Sequence, residues 1–109
     1  MLKVKLKLSH TVALLVRDCL YDAAEVKGKD HLEKMFANLW LEVYLKMEAK
    51  TLFLYEGEKK FSMSIAHGIA LMKLLQKWNG NHLTNATVVD NFRYVTFQSI
   101  IASIDQQTA

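Results

Sequence analysis

Asp18, Asp22 and Glu25 fall at i, i+4 and i+7, so a helix over this stretch carries three carboxylates on one side. Carboxylates so placed suit a hard cation when another helix supplies further oxygen ligands. Di-iron helical centres also need Glu-x-x-His, and no such tetrad occurs in the chain. The line therefore reads as a solvated face, or as a seat for lysines of a neighbouring copy. His10, His31, His67 and His82 share no metal-ligand spacing. His67 falls on the apolar side of a helical pattern, as a hydrogen-bonded core histidine or a site residue. With Cys19 it would make a nucleophile–base couple, but no spacing brings the two together.

Cys19 is the only thiol, which excludes an internal disulfide framework and most cysteine-based zinc sites. Its apolar neighbours predict an inert, buried side chain. Arg93 lies on an apolar arc near Val89, Thr96 and Ile100 and must be paired or reach an edge. Asp90, three residues earlier, is a ready partner; the other reading of Arg93 is an interface hot spot. No Gly-rich phosphate loop, nucleophile elbow, Walker lysine or His-Glu-x-x-His motif is present. The expectation is a protein without catalysis, cofactor or metal ion.

The helices that would carry these residues are punctuated by what the sequence lacks. There is no proline among 109 residues, and Gly28, Gly57 and Gly80 fall in polar stretches that divide the chain into four pieces of similar length. Each piece has helix-period apolar residues. With 51% hydrophobic and 23% charged residues, the chain suits one folded domain over 1–109 rather than disorder. The predicted fold is all-α, a four-helix bundle with a short basic N-terminal strand or arm; the alternative is α+β with a hairpin at 51–65.

The +3 net charge resides wholly in Lys3, Lys5 and Lys7, because residues 9–109 hold eleven basic and eleven acidic side chains. These lysines alternate with Leu2, Val4, Leu6 and Leu8, which is strand periodicity with a cationic face. The apolar run that follows is too short and too soon interrupted by Arg17-Asp18 to serve as a secretory signal, and no other run could span a bilayer. A soluble, cytoplasmic protein with no membrane association is expected.

Ser9 or Thr11 caps a first helix running to about Lys27, with Val12, Val16, Cys19, Leu20, Ala23 and Val26 on one face. Asp30 caps a second, with Glu33 as capping-box partner and a stripe of Leu32, Phe36, Leu39, Val43 and Met47. Thr51–Tyr55 either continues that helix or pairs with FSMSI as a hairpin. A third helix starts at Ser62 or Ser64 and ends near Trp78. Thr84 or Asn85 caps a fourth, reaching about Gln106.

That fourth helix is apolar over most of its circumference, and the second is similar around Trp40. From Phe61 onward only Lys73, Lys77, Asp90, Arg93 and Asp105 carry charge, too few for the wet exterior of a small monomer. Either another protein covers this half, most simply a second copy in a homodimer, or residues 2–8 or 51–65 wrap over it. The predicted function is a small non-enzymatic adapter, regulator or inhibitor. Its partner-binding residues are Trp40, Tyr44, Phe92, Arg93, Phe97 and Ile101, together with Lys3, Lys5 and Lys7. The alternative is a nucleic-acid-binding regulator using the 62–106 helix-loop-helix, with Thr84, Asn85, Thr87 and Asn91 toward bases and Lys73, Lys77 and the N-terminal lysines on phosphates.

Overall fold

A computed structural model describes residues 3–25, 30–52, 57–80 and 87–109. The alternating segment forms strand β1 (Lys3–Leu8), burying Val4, Leu6 and Leu8 and exposing its three lysines. Four helices follow: α1 (His10–Ala23), α2 (His31–Thr51), α3 (Ile65–Gly80) and α4 (Val88–Thr108). A second strand, β2 (Lys59–Ser64), precedes α3 and pairs antiparallel with β1, Lys3 opposite Ser64 and Leu8 opposite Lys59. The chain is thus mostly helical, with the four helices and the N-terminal strand expected, and that strand is paired in a small two-stranded sheet. This corrects the hairpin alternative, since Thr51 ends a helix and the partner of 59–64 is β1. The pairing has a physical reason: Val4, Leu6 and Leu8 share the inward face with Phe61 and Met63, giving both strands one apolar side to bury.

Side-chain oxygens set the helix starts. Ser9 accepts from the Val12 N–H at 3.2 Å, and Asp30 from the Glu33 N–H at 2.8 Å. At α4 the cap is Thr87 rather than Thr84 or Asn85, which lie outside the described residues. Thr87 and Asp90 form a reciprocal capping box, each side chain accepting from the other's backbone N–H. α1 ends at Ala23, short of Lys27, and α3 runs to Gly80, past Trp78.

α1 packs on α2, α2 on α3 and α3 on α4, while β1 lies against α4. The core gathers Leu20, Met47, Phe61, Leu71, Leu74, Leu75 and Phe97, each 2% exposed or less. On α2 the buried positions are Ala37, Trp40, Val43, Met47 and Thr51, so the inward face is rotated from the expected stripe and Leu32 is exposed. Trp40 turns inward because its indole N–H reaches the Ala70 carbonyl at 2.7 Å, leaving no buried donor without a partner.

Side chains shield both free edges of the sheet. The Gln107 carboxamide accepts from the Lys5 N–H at 2.7 Å and donates to the Lys5 carbonyl at 2.8 Å, as a neighbouring strand would. Along β2, Lys46 donates to the Ser62 carbonyl at 2.6 Å and Lys50 to that of Lys60. A two-stranded sheet with open edges is a template for further pairing, and these contacts occupy it.

Candidate interaction surfaces

The first half of α4 holds the most exposed apolar cluster. Val88, Val89, Phe92 and Val95 are between 50% and 85% exposed, whereas Phe97, Ile100 and Ile104 further along are buried. On α2, Leu32 and Met35 are exposed on one flank of the helix, while on the opposite flank Leu41, Leu45 and Leu52 form a second exposed apolar strip. Beside it the exposed Tyr21 of α1 meets Tyr44 of α2, ring centroids 5.5 Å apart. Together with Asp22, Ala24, Glu25 and Leu41 they line a groove of about 470 Å³. Desolvation, and after it the Glu48 carboxylate one turn along, pushes the Tyr44 phenol above its ordinary value.

The structure separates the residues expected to contact a partner. Phe92 is exposed, Tyr44 half-buried, and Ile101 half-buried against the core. Trp40 and Phe97 face inward, the first held by Ala70 and the second fully enclosed, so neither presents a surface. Arg93 is satisfied locally: its guanidinium donates to Asp90 at 3.0 Å and lies 5.2 Å from the centre of the Trp78 ring. Lys3, Lys5 and Lys7 are all exposed on the outward face of β1. Lys60, Ser62 and Ser64 of β2 share that face by register. The lysines therefore belong to a sheet, not to a loose arm. Lys60 escaped sequence reasoning, although the alternation in KKFSMS carries the signal once the pairing is known.

Among the described residues, no group of three His, Cys, Asp or Glu side chains lies close enough to hold a metal ion. Asp18 pairs with Arg17 at 3.3 Å, and Asp22 is exposed. His67 does not meet Cys19. Its Nδ1 is 2.5 Å from the Ser64 hydroxyl and its Nε2 contacts the Glu42 carboxylate. The spatial order is serine, imidazole, carboxylate, and the serine is also a helix-start acceptor. Its hydroxyl accepts from the His67 N–H at 3.2 Å, which fastens the first turn of α3. The adjoining cavity of about 210 Å³ is lined by Glu42, Val43, Lys46, Met63 and His67, with Ser64 outside it. The cluster ties α2 to the β2–α3 junction. Its sequence signal is the Ser-x-x-His spacing at a helix start.

Cys19 is buried, and burial pushes its thiol up to about 12, only partly opposed by the Arg93 guanidinium. The folded protein at pH 8 should react with a disulfide reagent far more slowly than the same protein in denaturant. Equal rates would place the thiol at the surface. The sign for stability follows. Above the ordinary thiol value the unfolded chain ionises while the folded one does not, so folding weakens with rising pH until about 12.

In the helix-loop-helix alternative, residues 84 and 85 lie outside the described ones, and the Thr87 hydroxyl serves as a cap. The first turns of α4 expose Asn91 together with the apolar Val88, Val89 and Phe92. No helix among the described residues is long and apolar enough to cross a membrane. Comparison with known protein families, with curated proteins and with solved structures finds no match for this chain.

Proposed function

We propose that this is a non-enzymatic interaction protein that associates with a second copy of itself through the exposed face of α4. One observation carries the reading: Val88, Val89, Phe92 and Val95 stand in water at the start of a helix whose later apolar residues Phe97, Ile100 and Ile104 are buried. Contiguous exposed apolar surface of this kind marks a binding face. The exposed positions Val88, Phe92, Val95, Ser99 and Ala102 step by four, three, four and three, which is the period of a helix–helix seam. A self-complementary face closes into a two-fold dimer with no other component. Lys73 and Gln76 of α3 remain outside for contact with other partners.

Light scattering after size exclusion tests the reading. The expected result is a dimer at low and at high salt, since apolar association is not screened. Phe92→Asp should be monomeric with an unchanged circular dichroism spectrum, because Phe92 is half exposed in the isolated chain. A wild-type monomer at every concentration, or a dimer that survives Phe92→Asp, overturns it.

A further inference from the structure

We infer that the outward face of the β1–β2 sheet binds the phosphodiester backbone of a single-stranded nucleic acid through Lys3, Lys5, Lys7 and Lys60. The inference is independent of self-association through α4.

The face consists of those four lysines with Ser62 and Ser64. Among the described residues no ion pair reaches any of the four ammonium groups, so no described carboxylate compensates their charge. Lys7 stands directly opposite Lys60. Like charges so placed oppose strand pairing, and a bridging anion would relieve that repulsion. Beside them a groove of about 590 Å³ is lined by Lys5, Lys7, Lys50, Lys60 and Ser62, with the buried Leu6 and Phe61 at its floor. Lys50, donating to the Lys60 carbonyl, adds one more cation to its lining, and Lys46 donates to the Ser62 carbonyl along the same strand.

The chemistry of the face selects among anionic partners. A protein interface relies on buried aromatic and Arg anchors and is depleted in Lys, and this face has only Lys and Ser. A membrane surface is held by apolar side chains that insert between headgroups, and the face has none. A polyphosphate chain needs neither. Alternate residues on a strand repeat at about 6.7 Å, a spacing that suits successive phosphates of an extended strand. With no Arg and no exposed aromatic ring on the face, bases are neither read nor stacked, so binding is independent of sequence. Phosphate contact thus stays with the N-terminal lysines, joined by Lys60 rather than by Lys73 and Lys77.

Fluorescence anisotropy with labelled oligothymidylate tests this. Four phosphate contacts on a single strand give a logarithmic salt slope near −2.8, so affinity should fall about fifty-fold between roughly 50 and 200 mM salt. The triple variant Lys5→Gln/Lys7→Gln/Lys60→Gln should bind much more weakly at low salt, with a salt effect of only about three-fold. Lys73→Gln on α3 should behave as wild type. All four side chains are exposed, and an unchanged circular dichroism spectrum confirms that folding is intact. No binding, salt-independent binding, or wild-type binding by the triple variant overturns the inference. So does binding to phosphatidylserine vesicles or polyglutamate without binding to the oligonucleotide. Because the readout is binding and not mass, failure here leaves the α4 dimer untouched, and the reverse holds.

Discussion

Phe97→Ala should lower the folding stability of the monomer by about 3–5 kcal/mol, while Phe92→Ala on the same helix changes the monomer's stability by no more than about 0.5 kcal/mol. The two phenylalanines are five residues apart, which at 100° per residue puts them well round the helix from each other. Phe97 is wholly enclosed and Phe92 is half exposed. Truncating the first leaves a cavity in a close-packed interior; truncating the second only trims surface. Urea unfolding followed by circular dichroism measures both, and Phe97→Ala should move the midpoint without changing the slope. Similar costs for the two variants would mean that α4 faces the other way. The contrast also governs the choice of association probe. A carboxylate at 97 would be buried without a partner and would unfold the chain, so loss of a dimer in that variant would say nothing about the interface.

Gly68→Ala should destabilise the protein, against the usual trend for a glycine within a helix. That trend favours Ala by about 0.5–1 kcal/mol. Here a Cβ on Gly68 would lie 2.6 Å from Val4 Cγ2 and 3.0 Å from Val4 Cβ. Val4 is fully buried and branched at Cβ, so it cannot swing aside. Overpacking of this kind typically costs about 1–3 kcal/mol, which outweighs the helix gain. The check is a double-mutant cycle. Val4→Ala alone should destabilise by opening a hole, and Gly68→Ala added to it should then be neutral or stabilising. Were Gly68→Ala to stabilise the protein with Val4 intact, α3 would not approach β1 so closely.

The parts of the fold legible from sequence were those set by neighbours along the chain. Ser9 and Asp30 cap helices because a side-chain oxygen needs only an N–H three residues on. The start of α4 was less legible, since Thr84, Asn85 and Thr87 are all capping types. Asp90, three residues after Thr87, is what distinguishes the true cap. On α2, the run LWLEVYL is apolar nearly all round, so periodicity alone could not choose between Leu39 and Trp40. The choice rests on a hydrogen bond to Ala70, thirty residues away. The pairing of β1 with β2 was illegible for the same reason: alternation marks a strand but not its partner. Of the surface, the excess apolar arc of α4 was visible in advance. Its division was not, because the second half is covered by β1 and the first half is left exposed.

The Gln107 clamp on Lys5 joins residues 102 positions apart. During synthesis β1 leaves the ribosome ahead of every other described element, yet its two neighbours, β2 and the last turn of α4, come much later. Until residues 59–64 emerge it is a strand with an apolar side and no strand to pair with. Lysine at every second position then acts as a gatekeeper, repelling other nascent copies until residues 59–64 and 107 emerge. Closing so long a loop is slow compared with forming the helices between, so the sheet completes after them. β1 is made first and placed last.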